Sequence, residues 1–140
     1  MGKKKVLLDT NILISALGWS GKPKELFRKC LDRELELITS IKQLEELHRV
    51  MNYPKFNFSE EQKDLFLSII MEVATFVETS GKVKRIKEDP DDDIILETAL
   101  VGNAEYIISG DPHLLNIKTF TGIKIVTAAE FLDIYQKEHD

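Results

Sequence analysis

Short apolar runs that stop on an acid or a hydroxyl constrain this chain most. Val6-Leu7-Leu8 runs into Asp9-Thr10-Asn11, and Tyr106-Ile107-Ile108 runs into Ser109-Gly110-Asp111. Runs this short, bounded by polar residues, fit buried strands that deliver polar groups to a sheet edge. Strand-like segments fall at 5–9, 36–39, 83–86, 106–109 and 124–126. Helical periodicity occupies 12–17, 24–33, 41–52, 60–77, 93–101 and 128–138. Strands separated by helices predict βαβ units and a mainly parallel, five-stranded sheet with helices on both faces.

The helix starts carry their own support. Ser40 is followed three residues later by Gln43, Ser59 by Gln62, and Thr127 by Glu130. Each pair fits a capping box, in which two side chains satisfy otherwise unpaired backbone N–H groups. In the 60–77 helix, Leu65, Phe66, Ile69, Ile70, Val73, Phe76 and Val77 line one face, widened by Leu67 and Met71. That face serves either as core or as a surface for self-association or a partner.

Bulk properties narrow the function. A chain of 140 residues predicts one domain, 1–140, with a core that needs neither disulfides nor a structural metal. The single Cys30 predicts a small buried apolar residue, and His48, His113 and His139 lack zinc spacing. The most apolar later stretch, 65–77, is shorter than the roughly 20 residues of a bilayer span. The lysines at 3–5 precede a run broken by Asp9 and Asn11, unlike a secretory signal. The expectation is a cytoplasmic protein without a membrane role. A net charge of −5 argues against broad coating of nucleic acid. It leaves room for a nuclease whose active site is itself acidic.

In an open parallel sheet, ligands bind beyond the carboxyl ends of the strands. Asp9 and Asp111 each end a strand, and Asp89-Pro90-Asp91-Asp92-Asp93 opens a helix after the 83–86 strand. All three segments therefore project to one edge. Carboxylates gathered there repel, which a hard divalent cation relieves. Acids without Cys or His partners point to Mg²⁺ or Mn²⁺ and to phosphoryl chemistry. Each acid also has a plainer role. Asp91, Asp92 or Asp93 caps a helix, Asp111-Pro112 starts a turn, and Thr10 or Asn11 serves as an N-cap. Glu45 and Glu46 read individually as solvated helix charges. Only the convergence of three segments favours a site.

Four blocks, in order, resemble the PIN-domain family. They are Leu7-Leu8-Asp9-Thr10-Asn11-Ile12-Leu13, the 44–56 stretch with Glu45, Glu46 and Pro54-Lys55-Phe56, the 89–99 stretch from Asp89 to Ala99, and Ala104 through Leu115. The nearest likeness is to toxins of prokaryotic, VapC-type toxin–antitoxin pairs. The resemblance implies a three-layer α/β/α sandwich with a parallel sheet and Mg²⁺- or Mn²⁺-dependent ribonuclease activity. It maps the family's acidic quartet onto Asp9, Glu46, Asp92 and Asp111, with Asp89 and Asp93 as near alternatives. Thr10, Asn11 and Ser109 would orient the carboxylates or contact phosphate. Lys82, Lys84, Arg85 and Lys87 either guide RNA or flank a strand in solvent. A cognate antitoxin and a homodimer are the implied partners. Ser109 stands where the family usually has Thr, and His113 where a second acid often follows Asp111. Two readings compete: a non-catalytic PIN-like module that binds RNA or protein, and a phosphate-accepting receiver domain. The latter lacks the paired acids and the late lysine it needs.

Overall fold

The computed structural model describes residues 3–81 and 90–139, apart from the side chains of Pro90 and Asp91. In chain order the elements are β1 (Lys4–Leu8), α1 (Thr10–Gly18), α2 (Lys22–Leu31), β2 (Leu35–Ser40), α3 (Ile41–Met51), α4 (Glu60–Val73) and β3 (Thr75–Val77). After these come α5 (Pro90–Val101), β4 (Tyr106–Ile108), α6 (Pro112–Leu115), β5 (Thr119–Phe120), β6 (Ile123–Val126) and α7 (Ala128–Glu138). The strands form one sheet in the order β3-β2-β1-β4-β6-β5, parallel throughout except for the β5–β6 pair.

Side chains alternate across this sheet with period two, and that alternation creates two cores. Val6, Leu8, Leu35, Leu37, Tyr106 and Ile108 face one core with α1, α2, α3, α4 and α7. Leu7, Ile38, Ile107, Ile123 and Ile125 face the other, closed by α5 and α6. The result is the expected α/β/α layering.

The sheet has six strands among the described residues, one more than the periodicity predicts, and they are not the same set. The predicted strand at 83–86 lies outside the described residues. The predicted 60–77 helix stops at Val73, and Thr75-Phe76-Val77 pairs with β2 in the register Ile38↔Thr75 to Ser40↔Val77. Apolar residues continue across the break, so helical periodicity hides it. The unpaired edge of β2 decides the outcome, because its backbone groups need partners. β-branched Thr75 and Val77 suit a strand. The α4 face is narrower than predicted: Phe66 and Ile70 are buried, while Leu65 and Met71 stay exposed. Cys30 is buried as expected, and burial pushes its thiol up to about 12. No described helix is long and apolar enough to cross a membrane.

Two of the three predicted capping boxes form completely, at Ser59/Gln62 and Thr127/Glu130. At Ser40 only half forms. Its hydroxyl accepts from the Gln43 N–H at 3.2 Å, but the Gln43 side chain turns away. Its Oε1 accepts from the Thr39 hydroxyl at 2.7 Å, and its Nε2 donates to the Leu8 carbonyl at 2.7 Å. Gln43 thereby ties α3 to the end of β1.

Where α5 ends, Gly102 permits close approach to the sheet. A Cβ there would collide with Cγ2 of buried Ile38 and stand 3.2 Å from the Thr98 carbonyl oxygen. Overpacking of this kind typically costs about 1–3 kcal/mol. Gly102→Ala is expected to lower unfolding stability by that amount in urea titration; an unchanged midpoint would show that α5 is not pressed against β2.

Candidate active site

The chain runs from β1 outward to β2 and β3, then crosses to β4 on the other side of β1. Strand order thus reverses between β1 and β4, where ligand sites of open sheets form. Asp9 follows β1 there. Its N–H donates to the Ile108 carbonyl at 3.1 Å, joining it to the end of β4. Its backbone is extended, with φ −68° and ψ 168°, and it is the N-cap of α1. Neither Thr10 nor Asn11 takes that role: Thr10 is already helical, and the Asp9 side chain is the one that accepts from a first-turn N–H, that of Ile12.

Both oxygens of the Asp9 carboxylate accept bonds from neighbours. Oδ1 accepts from the Ile12 N–H at 2.9 Å, and Oδ2 accepts a short bond from the Ser109 hydroxyl. Ser109 is completely buried, and its oxygen accepts from the Asp111 N–H at 2.9 Å. Asp111 in turn caps α6, where its Oδ1 accepts from the His113 N–H at 2.9 Å and Pro112 occupies the first helical position. The turn role foreseen for Asp111-Pro112 is present, and the same turn carries Asp111 beside Asp9.

Burial dominates the electrostatics. It lifts the Asp9 carboxyl from 3.8 to about 6; bonds from Ser109 and from the Ile12 and Asn11 N–H groups pull it down, and the Asp111 charge pushes it up. Asp9 is 4% exposed, so water contributes little screening.

The remaining acids stand on helices that start at the same sheet edge. Asp92, in the first turn of α5, is buried, while Asp93 is partly exposed. Glu46 lies on α3 and is partly buried, whereas Glu45 faces solvent. The structure joins Asp9, Ser109 and Asp111 by direct bonds. Among the described residues, no three His, Cys, Asp or Glu side chains stand together closely enough to hold a metal ion. Asp89, Lys82, Lys84, Arg85 and Lys87 lie outside the described residues. Asn11 is exposed. Thr10 is buried beside Asp9, and its hydroxyl has no hydrogen-bond partner among the described residues.

The donor chemistry fits a hard divalent cation. A buried acid that resists ionisation beside a second acid is relieved by a nearby positive charge, and the Thr10 hydroxyl next to it is a neutral oxygen donor with no partner among the described residues.

Two buried groups escaped the sequence reading. Gln43 was visible only as a capping residue, yet it holds the Leu8 carbonyl next to Asp9. Glu97 accepts from the Ser80 N–H at 2.6 Å, the Gly81 N–H at 2.9 Å and the Ser80 hydroxyl at 3.1 Å. An acid inside the apolar stretch 94–99 was its only signal. Ser40 and Thr98 add a hydroxyl pair at 2.8 Å that joins β2 to α5.

A family model described as PIN domain matches residues 5–113. The chain belongs to the PIN-domain family. PIN domains are generally nucleases and typically use divalent metals. The structure resembles a chain of the crystal structure of VapBC2 from Rickettsia felis bound to a DNA fragment from their promoter. The TM-score is 0.60 at 15% identity, covering 86% of this chain and 96% of that one. This likeness speaks for the fold, which agrees with the family expectation. Comparison with curated protein sequences finds no match.

The Asp9 environment of this PIN domain has a measurable consequence. With divalent cations chelated, the folded state holds the Asp9 proton up to about pH 6, whereas an unfolded carboxyl releases it near 3.8. The folded state binds more protons in that window. Stability from this group is therefore present below pH 3.8 and lost as pH rises through about 6, by about 3 kcal/mol in total. Urea unfolding in EDTA should show this decline, and Asp9→Asn should remove it and be the more stable protein at pH 8. A parent and variant with parallel pH profiles would contradict the buried-acid description.

Proposed function

We propose that this PIN domain is a divalent-metal-dependent endoribonuclease that hydrolyses phosphodiester bonds of single-stranded RNA. We further propose that it acts in the cytoplasm as the toxin of a type II toxin–antitoxin pair. The observation that carries the nuclease reading is the Asp9–Ser109–Asp111 chain at the strand-order reversal. It ties the Asp111 backbone to the Asp9 carboxyl, which is buried, resists ionisation and feels the Asp111 charge.

In this reading Asp9, Asp92 and Asp111 would hold Mg²⁺ or Mn²⁺ by drawing together around it or by bridging through water, and Glu46 would complete the site directly or through water. When bound, the cation supplies positive charge that acidifies a water for attack and offsets charge developing on the phosphate. Ser109 orients both acids, donating to Asp9 and accepting from the backbone of Asp111. Gln43 and the Ile12 N–H keep the end of β1 and the Asp9 side chain from turning away. Thr10 and Asn11 support the carboxylates or meet the phosphate. Asp89 and Asp93 are alternates for the third acid, and Lys84 and Arg85 serve as RNA-guiding residues on the strength of their charge.

The toxin role rests on fold likeness and family resemblance rather than on chemistry. The Rickettsia felis neighbour is a VapBC2 structure, which supports pairing with an antitoxin. Exposed Ile41, Leu65 and Met71 on α3 and α4 support a homodimer.

A second reading has one observation in its favour. Both Asp9 oxygens already accept bonds within the protein, as in a module that binds RNA without cutting it. One experiment separates the two. Single-stranded RNA is incubated with the protein in Mg²⁺ or Mn²⁺, and products are resolved by length. Cleavage is expected to vanish in EDTA and to fall at least ~100-fold in Asp9→Asn, Asp92→Asn and Asp111→Asn. Cleavage that survives both EDTA and Asp9→Asn would sink the metal mechanism. Ser109→Ala, which keeps every carboxylate, should lose about 10- to 100-fold in metal affinity or rate. Ser109→Thr should retain both.

A further inference from the structure

Aromatic rings outside the sheet gather at one surface. Trp19 follows the last residue of α1 and is 52% exposed. It meets Phe56 and Phe58 edge-on at 6.1 and 6.3 Å between centroids. Those two rings stack at 5.5 Å with planes 7° apart. The backbone explains the stack. Pro54 opens a short 3-10 turn, and Asn57 takes a left-handed φ of 50°, so residues two apart turn their rings to the same side. Asparagine adopts that conformation more readily than most residues. A Cβ at Gly18 would stand 3.0 Å from the Phe58 ring, so the end of α1 closes directly on the cluster.

Phe56 and Phe58 are partly buried against the core that α1 and α3 share, and Trp19 lies over them half exposed. Tyr53 remains 39% exposed beside them. Two cations adjoin the cluster: exposed Lys55 holds its Nζ 5.1 Å over the Phe56 centroid, and Arg49 Nη1 donates to the Tyr53 hydroxyl at 3.3 Å. The location also bears on function. α1 and α3 pack together, and both start at the sheet edge that carries Asp9 and Ser40. Their far ends meet at this cluster, about 13 Å along α1 from the acidic edge. Arg49 lies one helical turn beyond Glu46, pointing the line of α3 from acid to aromatics.

We propose that Trp19, Phe56, Phe58 and Tyr53, flanked by Arg49 and Lys55, form a nucleobase-stacking platform. It grips single-stranded RNA a few nucleotides from the acidic edge. This deepens the nuclease reading and rests on it for the identity of the ligand. Bases stack on aromatic faces with little regard to sequence, and flanking cations neutralise phosphates. A protein partner would also cover the rings, but the exposed Lys55 ammonium over Phe56 matches a polyanion.

Trp19 is the single tryptophan of the chain, so its fluorescence reports on the platform alone. The Asp9→Asn protein, in EDTA, is titrated with a mixed-sequence single-stranded oligoribonucleotide. Quenching of Trp19 is expected. By anisotropy of labelled RNA, Trp19→Ala should weaken binding about 5- to 100-fold, and Trp19→Phe should stay within about threefold. Lys55→Ala should flatten the salt dependence, which keeps the test informative if Trp19→Ala does not fold. RNA binding without quenching, equal in parent, Trp19→Ala and Lys55→Ala, would overturn the platform, while cleavage by the native protein would keep the nuclease reading. Quenching by RNA without any cleavage by native protein would do the reverse. Absence of both binding and cleavage would overturn both, leaving the rings as a protein-docking face.

Discussion

The bond from Ser109 to Asp9 depends on everything beneath it and organises everything above it. It exists because β1 and β4 lie side by side and parallel, in the register Leu8↔Ile108. Two segments a hundred residues apart in the chain thereby end at one level. A hydroxyl buried on one strand end meets a carboxylate buried on the other, and the same hydroxyl holds the backbone of Asp111. Burial makes this arrangement electrostatically unfavourable for an ionised Asp9. The fold tolerates it through three donors, the Ser109 hydroxyl and the Ile12 and Asn11 N–H groups. That tension between burial and charge is the electrostatic signature of this edge.

The supporting structure is arranged around the same point. Helices α1 and α3 leave the sheet at this edge, capped by Asp9 and Ser40. Gln43 reaches across to the Leu8 carbonyl, so the end of β1 is held from α3 as well as from β4. Ser40 and Thr98 link the next strand to α5, the helix that carries Asp92. Glu97 on α5 gathers the backbone at Ser80 and Gly81. Polar groups buried at a strand end carry high stakes, since each must be satisfied. Here Asp9, Ser109, Gln43 and Ser40 are satisfied by one another and by nearby backbone, while the Thr10 hydroxyl has no partner among the described residues.

Much of this was legible in the residues. The strand ends at Asp9 and Asp111 announced themselves as apolar runs ending on acids. The helix starts at 41, 60 and 128 agree with their capping residues to the position. The PIN resemblance, carried by four blocks, agrees with the family match over residues 5–113. Other features were hidden for definite reasons. Thr75-Phe76-Val77 continues an apolar pattern that suits helix and strand alike, and only the open edge of β2 chose the strand. Gln43 matches a cap motif perfectly in sequence, so nothing local revealed that its amide would be used elsewhere. The aromatic cluster joins positions 19, 56 and 58, whose proximity no spacing could show.

By itself, the sequence determined the alternation of strands and helices, the capped helix starts and the presence of acids at strand ends. Those are local properties, set by periodicity and by the hydrogen-bonding of neighbouring residues. Tertiary structure alone decided which strand ends meet, that Ser109 bridges Asp9 and Asp111, and that burial lifts the Asp9 carboxyl to about 6. The physical reason is that desolvation and hydrogen-bond partners depend on what packs around a group, and strand order brings those neighbours from distant parts of the chain.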